Sequence, residues 1–278
     1  MRLLITGGAG YLGSELARRA LERQWDVVAT CFMQRPPAAS VALVALDIRD
    51  RAAVENVFAE VRPDVVIHTA YRHSGPDLWA TTAEGAGVVA RAAGRVGARL
   101  IHMSTDALFD GEREGAYVEQ DAPCPITSYG EAKAAAERLV VEFHPQALVV
   151  RTSLIYGGAT LGVHEQLILD AADGRADLAF FRDELRCPVV VGELAEALLE
   201  LAPAELGGLL HLAGADVVSR YEFACLVAAA HGRRAGYLRA GLSAESGLRR
   251  PRNCALDCTR ARSLVQTRLR GVYEVLSP

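Results

Sequence analysis

Residues 3–13 have the sequence Leu-Leu-Ile-Thr-Gly-Gly-Ala-Gly-Tyr-Leu-Gly, and this segment is the strongest indication of the fold of the chain. A short apolar run, Leu3–Ile5, is followed at once by glycines spaced three residues apart. This order is typical of a buried strand that turns directly into a helix, where the N–H groups of the first helical turn attract phosphate. It predicts a site for the pyrophosphate of a dinucleotide. The residues of that predicted site are Gly7, Gly10, Tyr11, Leu12 and Gly13.

The rest of the chain repeats the alternation of apolar strand and helix. Further strands are predicted at Asp26–Cys31, Val41–Leu46, Val65–His68, Leu100–Met103, Ala147–Arg151 and Leu209–Leu212. Helices are predicted at about 11–24, 50–61, 77–96 and 128–143. This rhythm indicates an α/β fold with a doubly wound parallel Rossmann sheet and a smaller C-terminal substrate lobe. We expect a cofactor-binding domain at 1–155, to which a strand at about 208–213 returns, and a partly interleaved lobe at 156–278.

Composition limits the classes of protein that the chain can be. Of its 278 residues 51% are hydrophobic, which excludes intrinsic disorder, and a net charge of −4 argues against a nucleic-acid binder. The six cysteines form no CxxC pair, so we expect reduced thiols and no metal site. No stretch resembles a signal peptide or a transmembrane helix, which predicts a cytoplasmic protein without membrane contact.

The end of the predicted second strand indicates which dinucleotide would bind. Rossmann sites for an unphosphorylated ribose usually carry a carboxylate there. Here the strand ends Ala29-Thr30-Cys31-Phe32, and Arg35 follows. A guanidinium attracts a 2′-phosphate, so NADP(H) is favoured and NAD(H) remains an alternative, as does a solvated Arg35. Asp47 and Ile48 follow the third strand, where we expect them to reach the adenine.

A tyrosine and a lysine occupy one face of a predicted helix. Tyr129 and Lys133 are four residues apart, so their side chains can meet the same ligand. A phenol with its ordinary pKa of about 10 exchanges protons poorly at neutral pH, and a neighbouring ammonium lowers that pKa. The preceding strand ends Met103-Ser104-Thr105-Asp106. Ligands of such sheets bind at the carboxyl ends of the strands, so this segment and the glycine loop point into one crevice.

These segments resemble the extended branch of the short-chain dehydrogenase/reductase family. TGGAGYLG from Thr6, HTA from His68, STD from Ser104 and YGEAK from Tyr129 occur in that family's order and spacing. Three longer segments are similar to those of its dTDP-4-dehydrorhamnose reductase subfamily, and together the matches reach from residue 1 to about 265. They are STDALFDG at 104–111, RTSLIYG at 151–157 and RPRNCALD at 250–257.

The resemblance implies an enzyme that uses NADPH to reduce the 4-keto group of a nucleotide-linked deoxysugar. It implies that Tyr129 donates a proton, Lys133 assists it and Thr105 orients the carbonyl. Further implied cofactor contacts are Thr69, Ala70, Tyr71, Ser104, Tyr129 and Lys133. The residues expected to meet the substrate are Asp106, Ala107, Ser153, Arg186 and Arg250, with Arg249 a further candidate for its diphosphate. The sequence leaves the oligomeric state open, with a homodimer as one candidate.

The chain departs from the family pattern at two positions. Thr82 stands where the pattern N-x-x-G has asparagine, and Ala107 stands where a tyrosine follows STD. Two alternatives therefore stay open: an epimerase or dehydratase of the same fold, and a non-catalytic cofactor-binding regulatory subunit. Retention of Tyr129, Lys133 and Thr105 argues against the regulatory subunit.

Overall fold

A computed structural model describes residues 1–32 and 41–277, so Arg35 lies outside the described residues. The strands of this part are β1 Arg2–Thr6, β2 Asp26–Cys31, β3 Ala42–Ala45, β4 Val65–His68, β5 Arg99–Thr105, β6 Leu148–Thr152, β7 Ile155–Tyr156, β8 Ala179–Phe181, β9 Leu185–Arg186, β10 Val189–Val190, β11 Gly208–His211, β12 Val218–Ser219 and β13 Arg239–Gly241. Its α-helices are α1 Tyr11–Glu22, α2 Arg51–Val61, α3 Gly85–Val96, α4 Ser128–Phe143, α5 Val163–Ala172, α6 Val191–Leu201, α7 Arg220–Ala230, α8 Thr259–Arg262 and α9 Val272–Leu276.

Seven strands form the central sheet, in the order β11-β6-β5-β4-β1-β2-β3. The pairs β1–β2, β2–β3, β1–β4 and β4–β5 are parallel. The chain builds outward from β1 through β2 to β3 and then returns to the other side of β1 with β4. The predicted doubly wound parallel sheet is therefore confirmed. The order of the strands reverses between β1 and β4, which is where ligands of such sheets bind.

One predicted helix differs from its expected form. The stretch 77–96 is not a single α-helix, because a π-helical turn at Ala80–Glu84 precedes α3. Inside this turn the hydroxyl of Thr82 accepts from the backbone N of Arg72 at 2.9 Å and donates to its carbonyl at 2.8 Å. A π-turn inserts one extra residue, and such turns are frequent at functional sites.

The first of two compact units contains the sheet. It comprises the described residues of Met1–Thr105 together with Ser128–Arg151 and Ala195–Leu210. Its core is apolar on both faces of the sheet, as the continuous runs of Val, Ile and Leu in β1, β4 and β5 require. Residues 106–127, inside the range 1–155 expected for the cofactor domain, fall in the second unit instead.

The second unit comprises Asp106–Thr127, Thr152–Leu194 and 211–277. Its small sheets are the pairs β7–β10, β9–β12 and β8–β13, none of which we predicted. Strands of two or three residues join segments far apart in the chain, so their pairing leaves no periodic signal. A second core packs α5, α7 and α9 around Tyr156 and Phe223. In neither unit is a described helix long and apolar enough to cross a membrane.

A close backbone approach in the second unit gives a test of its packing. A Cβ added at Gly214 would lie 1.9 Å from the carbonyl oxygen of Pro188, whereas one at the exposed Gly115 would meet nothing within 4 Å. We expect Gly214→Ala to lower the free energy of unfolding by about 1–3 kcal/mol, because a backbone carbonyl has to move. Urea unfolding followed by circular dichroism measures this, with Gly115→Ala as the matched control. Equal stability of the two variants would show that this approach is not as close as described.

Candidate active site

The glycine loop lies between β1 and α1 and leaves no room for side chains. Gly7 has φ +78, and a Cβ at Gly13 would lie 2.3 Å from the carbonyl oxygen of Gly7. Gly10 donates its N–H to that same oxygen at 2.9 Å and is the N-cap residue before α1, where no side chain caps the helix. The loop is thus a tight cradle whose helical N–H groups are available to an anion.

A cavity of about 450 Å³ opens beside this loop, inside the first unit. Of the residues predicted to bind a cofactor, its lining includes Gly7, Gly10, Asp47, Ile48, Thr69, Ala70 and Tyr71. Tyr11, Leu12, Gly13, Ser104, Tyr129 and Lys133 lie outside this lining. Residues that the sequence analysis missed are also part of it, among them Phe32, Arg49, Arg72 and Thr81.

One end of the cavity carries charges of both signs. Arg49 donates to Oδ1 of Asp47 at 3.0 Å and to Oδ2 at 2.8 Å, and it pairs with Asp77 at 2.9 Å. The hydrogen bond from Arg49 lowers the pKa of Asp47, so this carboxylate is ionised. The guanidinium of Arg49 also lies 5.4 Å from the centre of the Phe32 ring. No spacing pattern indicated Arg49, because its ion pair with Asp77 joins two distant segments of the chain.

Helix α4 is fixed to the sheet by a buried carboxylate. Glu137 accepts from Ser104 of β5 at 2.6 Å, and from Arg151 of β6 at 3.0 and 2.8 Å. Arg151 is 1% exposed, so this two-pronged ion pair is closed to solvent. The hydroxyl of Ser104, expected to contact a cofactor, is thus engaged by Glu137. We call Glu137, Ser104 and Arg151 the α4 anchor.

Lys133 lies one helical turn before Glu137 on the same face of α4. Its ammonium donates to the carbonyl oxygen of Met103 at 2.8 Å and is buried. Burial lowers its pKa to about 8, although the negative charge of Glu137 opposes the shift. Lys133 is also the only lysine in the sequence. All the other residues counted as Lys or Arg are arginines. An arginine could not lose its proton in this way.

Two buried histidines lie on neighbouring strands near Lys133. His68 and His102 are register partners on β4 and β5, and their rings stack at 5.1 Å. The hydroxyl of Thr6 lies 2.5 Å from Nδ1 of His68. Burial, with Lys133 adding to it, lowers the pKa of His68 to about 3 and that of His102 well below its ordinary value. Both rings are therefore neutral, and Lys133 is the cation of this group.

Tyr129 lies one turn before Lys133, next to the wall of the cavity. Its ring centre is 5.8 Å from that of Tyr71 and 4.6 Å from that of His73. The ammonium of Lys133 lies 5.1 Å from the Tyr71 ring. Tyr71 therefore connects the cavity to the Tyr-x-x-x-Lys pair. Thr105, at the end of β5, is almost fully buried.

The predicted substrate residues all lie in the second unit, where three of them meet. Ser153 donates to Asp106 at 2.6 Å, and Nε of Arg186 lies 3.8 Å from that carboxylate. Arg186 also donates to the backbone carbonyls of Leu185, Pro251 and Arg252. Arg250 is bound to the buried Glu184, Ala107 is partly exposed, and Arg249 is exposed.

A family model identifies what this arrangement belongs to. The model of the RmlD substrate binding domain matches residues 1–276. The chain belongs to this family. Among curated relatives, dTDP-4-dehydrorhamnose reductase of Mycobacterium tuberculosis is 38% identical over 79% of the chain and 72% of that protein. Methionine adenosyltransferase 2 subunit beta of Rattus norvegicus is 30% identical over 95% of the chain and 82% of that protein.

Solved structures of RmlD-type proteins have the same fold. The dTDP-4-dehydrorhamnose reductase of Bacillus anthracis, crystallised in complex with NADP, superposes with a TM-score of 0.85 at 26% identity. The match covers 99% of this chain and 96% of that one. The resemblance to extended short-chain dehydrogenase/reductases, and within them to the dTDP-4-dehydrorhamnose reductase subfamily, is thus confirmed.

The single lysine permits a direct test of the electrostatics of this RmlD-type site. With lysine labelled at Cε with ¹³C, one resonance reports the titration of Lys133. We expect a midpoint near pH 8, and a midpoint near 10.4 for the same resonance in urea-unfolded protein. A native midpoint above pH 10 would contradict the described burial.

The same titration predicts how stability depends on pH. Between pH 8 and 10.5 the unfolded chain holds a proton on this amine that the folded chain has lost. Through this group the free energy of unfolding therefore rises with pH across that window, by on the order of 3 kcal/mol in total. Lys133→Met, which has no titrating group at this position, should lack this contribution.

Proposed function

We propose that the chain reduces the 4-keto group of a nucleotide-linked deoxysugar with NADPH, as the name dTDP-4-dehydrorhamnose reductase describes for its relative. One observation carries the proposal. The only lysine of the chain is buried one turn after Tyr129, beside Tyr71 of the cavity wall. Burying a charged amine in a folded protein is unfavourable. Because the chain uses arginine at every other such position, a buried lysine here indicates a role in the reaction.

The residues of the glycine loop fit a dinucleotide. The pyrophosphate would lie on the N–H groups at the start of α1, because Gly7, Gly10 and Gly13 leave the approach free of side chains. Asp47, Ile48 and Phe32 would border the adenosine end. The strand end Thr30-Cys31-Phe32 carries no carboxylate to repel a 2′-phosphate, which favours NADP(H) and leaves NAD(H) possible. When bound, NADPH supplies the hydride.

The proton of the reaction comes from this chain. Tyr129 donates the proton of its hydroxyl to the carbonyl oxygen of the substrate, and Thr105 orients that oxygen by a hydrogen bond. The ammonium of Lys133 favours the phenolate that Tyr129 leaves behind. His68 and His102 are neutral and so do not compete as proton donors. The backbone bond to Met103 and the α4 anchor keep this face of α4 in place.

We assign the cofactor to the first unit and the sugar nucleotide to the second. Asp106, Ala107, Ser153, Arg186 and Arg250 of the second unit remain the proposed substrate residues. The free cysteines of the described residues support a location in the reducing cytoplasm. The homodimer stays a prediction.

Tyr129→Phe tests the proposed chemistry. It removes only the hydroxyl, so we expect kcat for reduction of dTDP-4-dehydrorhamnose to fall by about 10²–10⁴-fold while NADPH still binds. The measurement is the stoichiometric loss of NADPH absorbance, with NADPH affinity taken from fluorescence titration. Tyr237→Phe, at a position 74% exposed, is the matched control and should keep full activity.

Three results would contradict the proposal. Full activity of Tyr129→Phe would remove Tyr129 from the reaction. Turnover of the sugar without net loss of NADPH would indicate an epimerase or dehydratase. Tight binding of NADPH without turnover of any keto-sugar in a panel would indicate a cofactor-binding subunit.

A further inference from the structure

A group of charged side chains in the second unit surrounds Glu184. We call Arg186, Arg220 and Arg250, with Glu184 and Asp106, the arginine cluster. Strands β9 and β12 are antiparallel, with Val218 opposite Arg186, and the N–H of Arg220 donates to the carbonyl of Glu184 at 2.9 Å. Opposite residues of such a pair share a face, and so do residues two apart. The backbone thus directs Glu184, Arg186 and Arg220 to the same side.

Two of the three arginines are neutralised within the cluster. Arg250 grips both carboxylate oxygens of Glu184, and its guanidinium lies 5.0 Å from the centre of the Phe181 ring. Arg186 donates to three backbone carbonyls and pairs with Asp106. The carboxylate of Asp106 also accepts a hydrogen bond from Ser153. Two of the three arginines predicted to bind the diphosphate therefore already have partners.

Arg220 differs from them. Among the described residues its guanidinium makes no hydrogen bond and no ion pair, although the side chain is only partly exposed. The carboxylate opposite it, Glu184, is 1% exposed and is taken by Arg250. Burial and the positive charges of Arg186 and Arg250 lower the pKa of Arg220 to about 10, although the carboxylates of Glu184 and Asp106 oppose the shift. Three cations face two anions, and the charge left over lies on Arg220.

We propose that Arg220 binds a phosphate group of the ligand, which under the proposed function is the diphosphate of the nucleotide-linked sugar. A part-buried cation whose N–H groups have no hydrogen-bonded acceptor is unfavourable, and the doubly charged diphosphate would remove that cost. The planar guanidinium has two parallel N–H donors that match two phosphate oxygens. Arg186 and Arg250 border the ligand in this arrangement while paired with Asp106 and Glu184, and Arg220 carries the charge that meets the phosphate. The site falls at a position that neither spacing nor resemblance indicated.

Binding measurements on the full-length protein test this without relying on catalysis. Isothermal titration calorimetry with dTDP, inorganic pyrophosphate and thymidine is compared for wild type, Arg220→Leu, Arg220→Gln and Arg220→Lys. We expect both neutral variants to bind dTDP and pyrophosphate about 10–100-fold more weakly, with the lysine variant in between and thymidine affinity unchanged. Arg239→Leu, which removes a largely exposed arginine of the same unit, should match wild type.

The outcomes separate this proposal from the proposed function. If Arg220→Leu or Arg220→Gln, whichever has the melting curve of wild type, binds dTDP and pyrophosphate within twofold of wild type, the proposal is wrong. It is also wrong if wild type binds neither probe, or if both neutral variants fail to fold, because Arg220 would then be a structural cation. If pyrophosphate binding depends on Arg220 but no keto-sugar is reduced, the phosphate site stands and the proposed reductase activity falls.

Discussion

The carboxylate of Glu137 is the contact on which the candidate active site depends. It accepts hydrogen bonds from the hydroxyl of Ser104 on β5 and from two nitrogens of the Arg151 guanidinium on β6. One side chain of α4 is therefore bound to two neighbouring strands. A buried ion pair adds little net stability, but removing one partner leaves an unpaired charge and typically costs about 3–5 kcal/mol. The gain from such a pair is geometric, since it admits one position of the helix on the sheet.

The position of α4 on the sheet also fixes the other residues on the same face of this helix. Tyr129, Lys133 and Glu137 follow each other at intervals of four residues, so they lie in a row on α4. Glu137 fixes the inner end of the row, Lys133 is held in the middle by the carbonyl of Met103, and Tyr129 stands at the end next to Tyr71. A tyrosine at the first turn of a free helix would fray, whereas here two buried contacts support it.

The sequence predicted those features that depend on local spacing. The glycine loop and the row on α4 are fixed by intervals of three and four residues, and the alternation of strands and helices made the sheet predictable. Contacts between distant segments were not predictable. Nothing near Ser104 indicates that its hydroxyl binds a carboxylate 33 residues later, and nothing near Arg250 reveals its pairing with Glu184. Arg186 and Arg250 were predicted as substrate contacts without their carboxylate partners, because those partners cannot be read from spacing, and no spacing pattern indicates Arg220.

The most direct test of this account is a double-mutant cycle on the α4 anchor, with kcat/KM for reduction of the keto-sugar as the measurement. If Glu137 and Arg151 act as one unit that positions Tyr129, then Glu137→Gln, Arg151→Met and the double variant should each lose a similar factor, on the order of 100-fold. If the double variant instead loses the product of the two single factors, or if neither single variant loses activity, the anchor does not position the site and the account is contradicted.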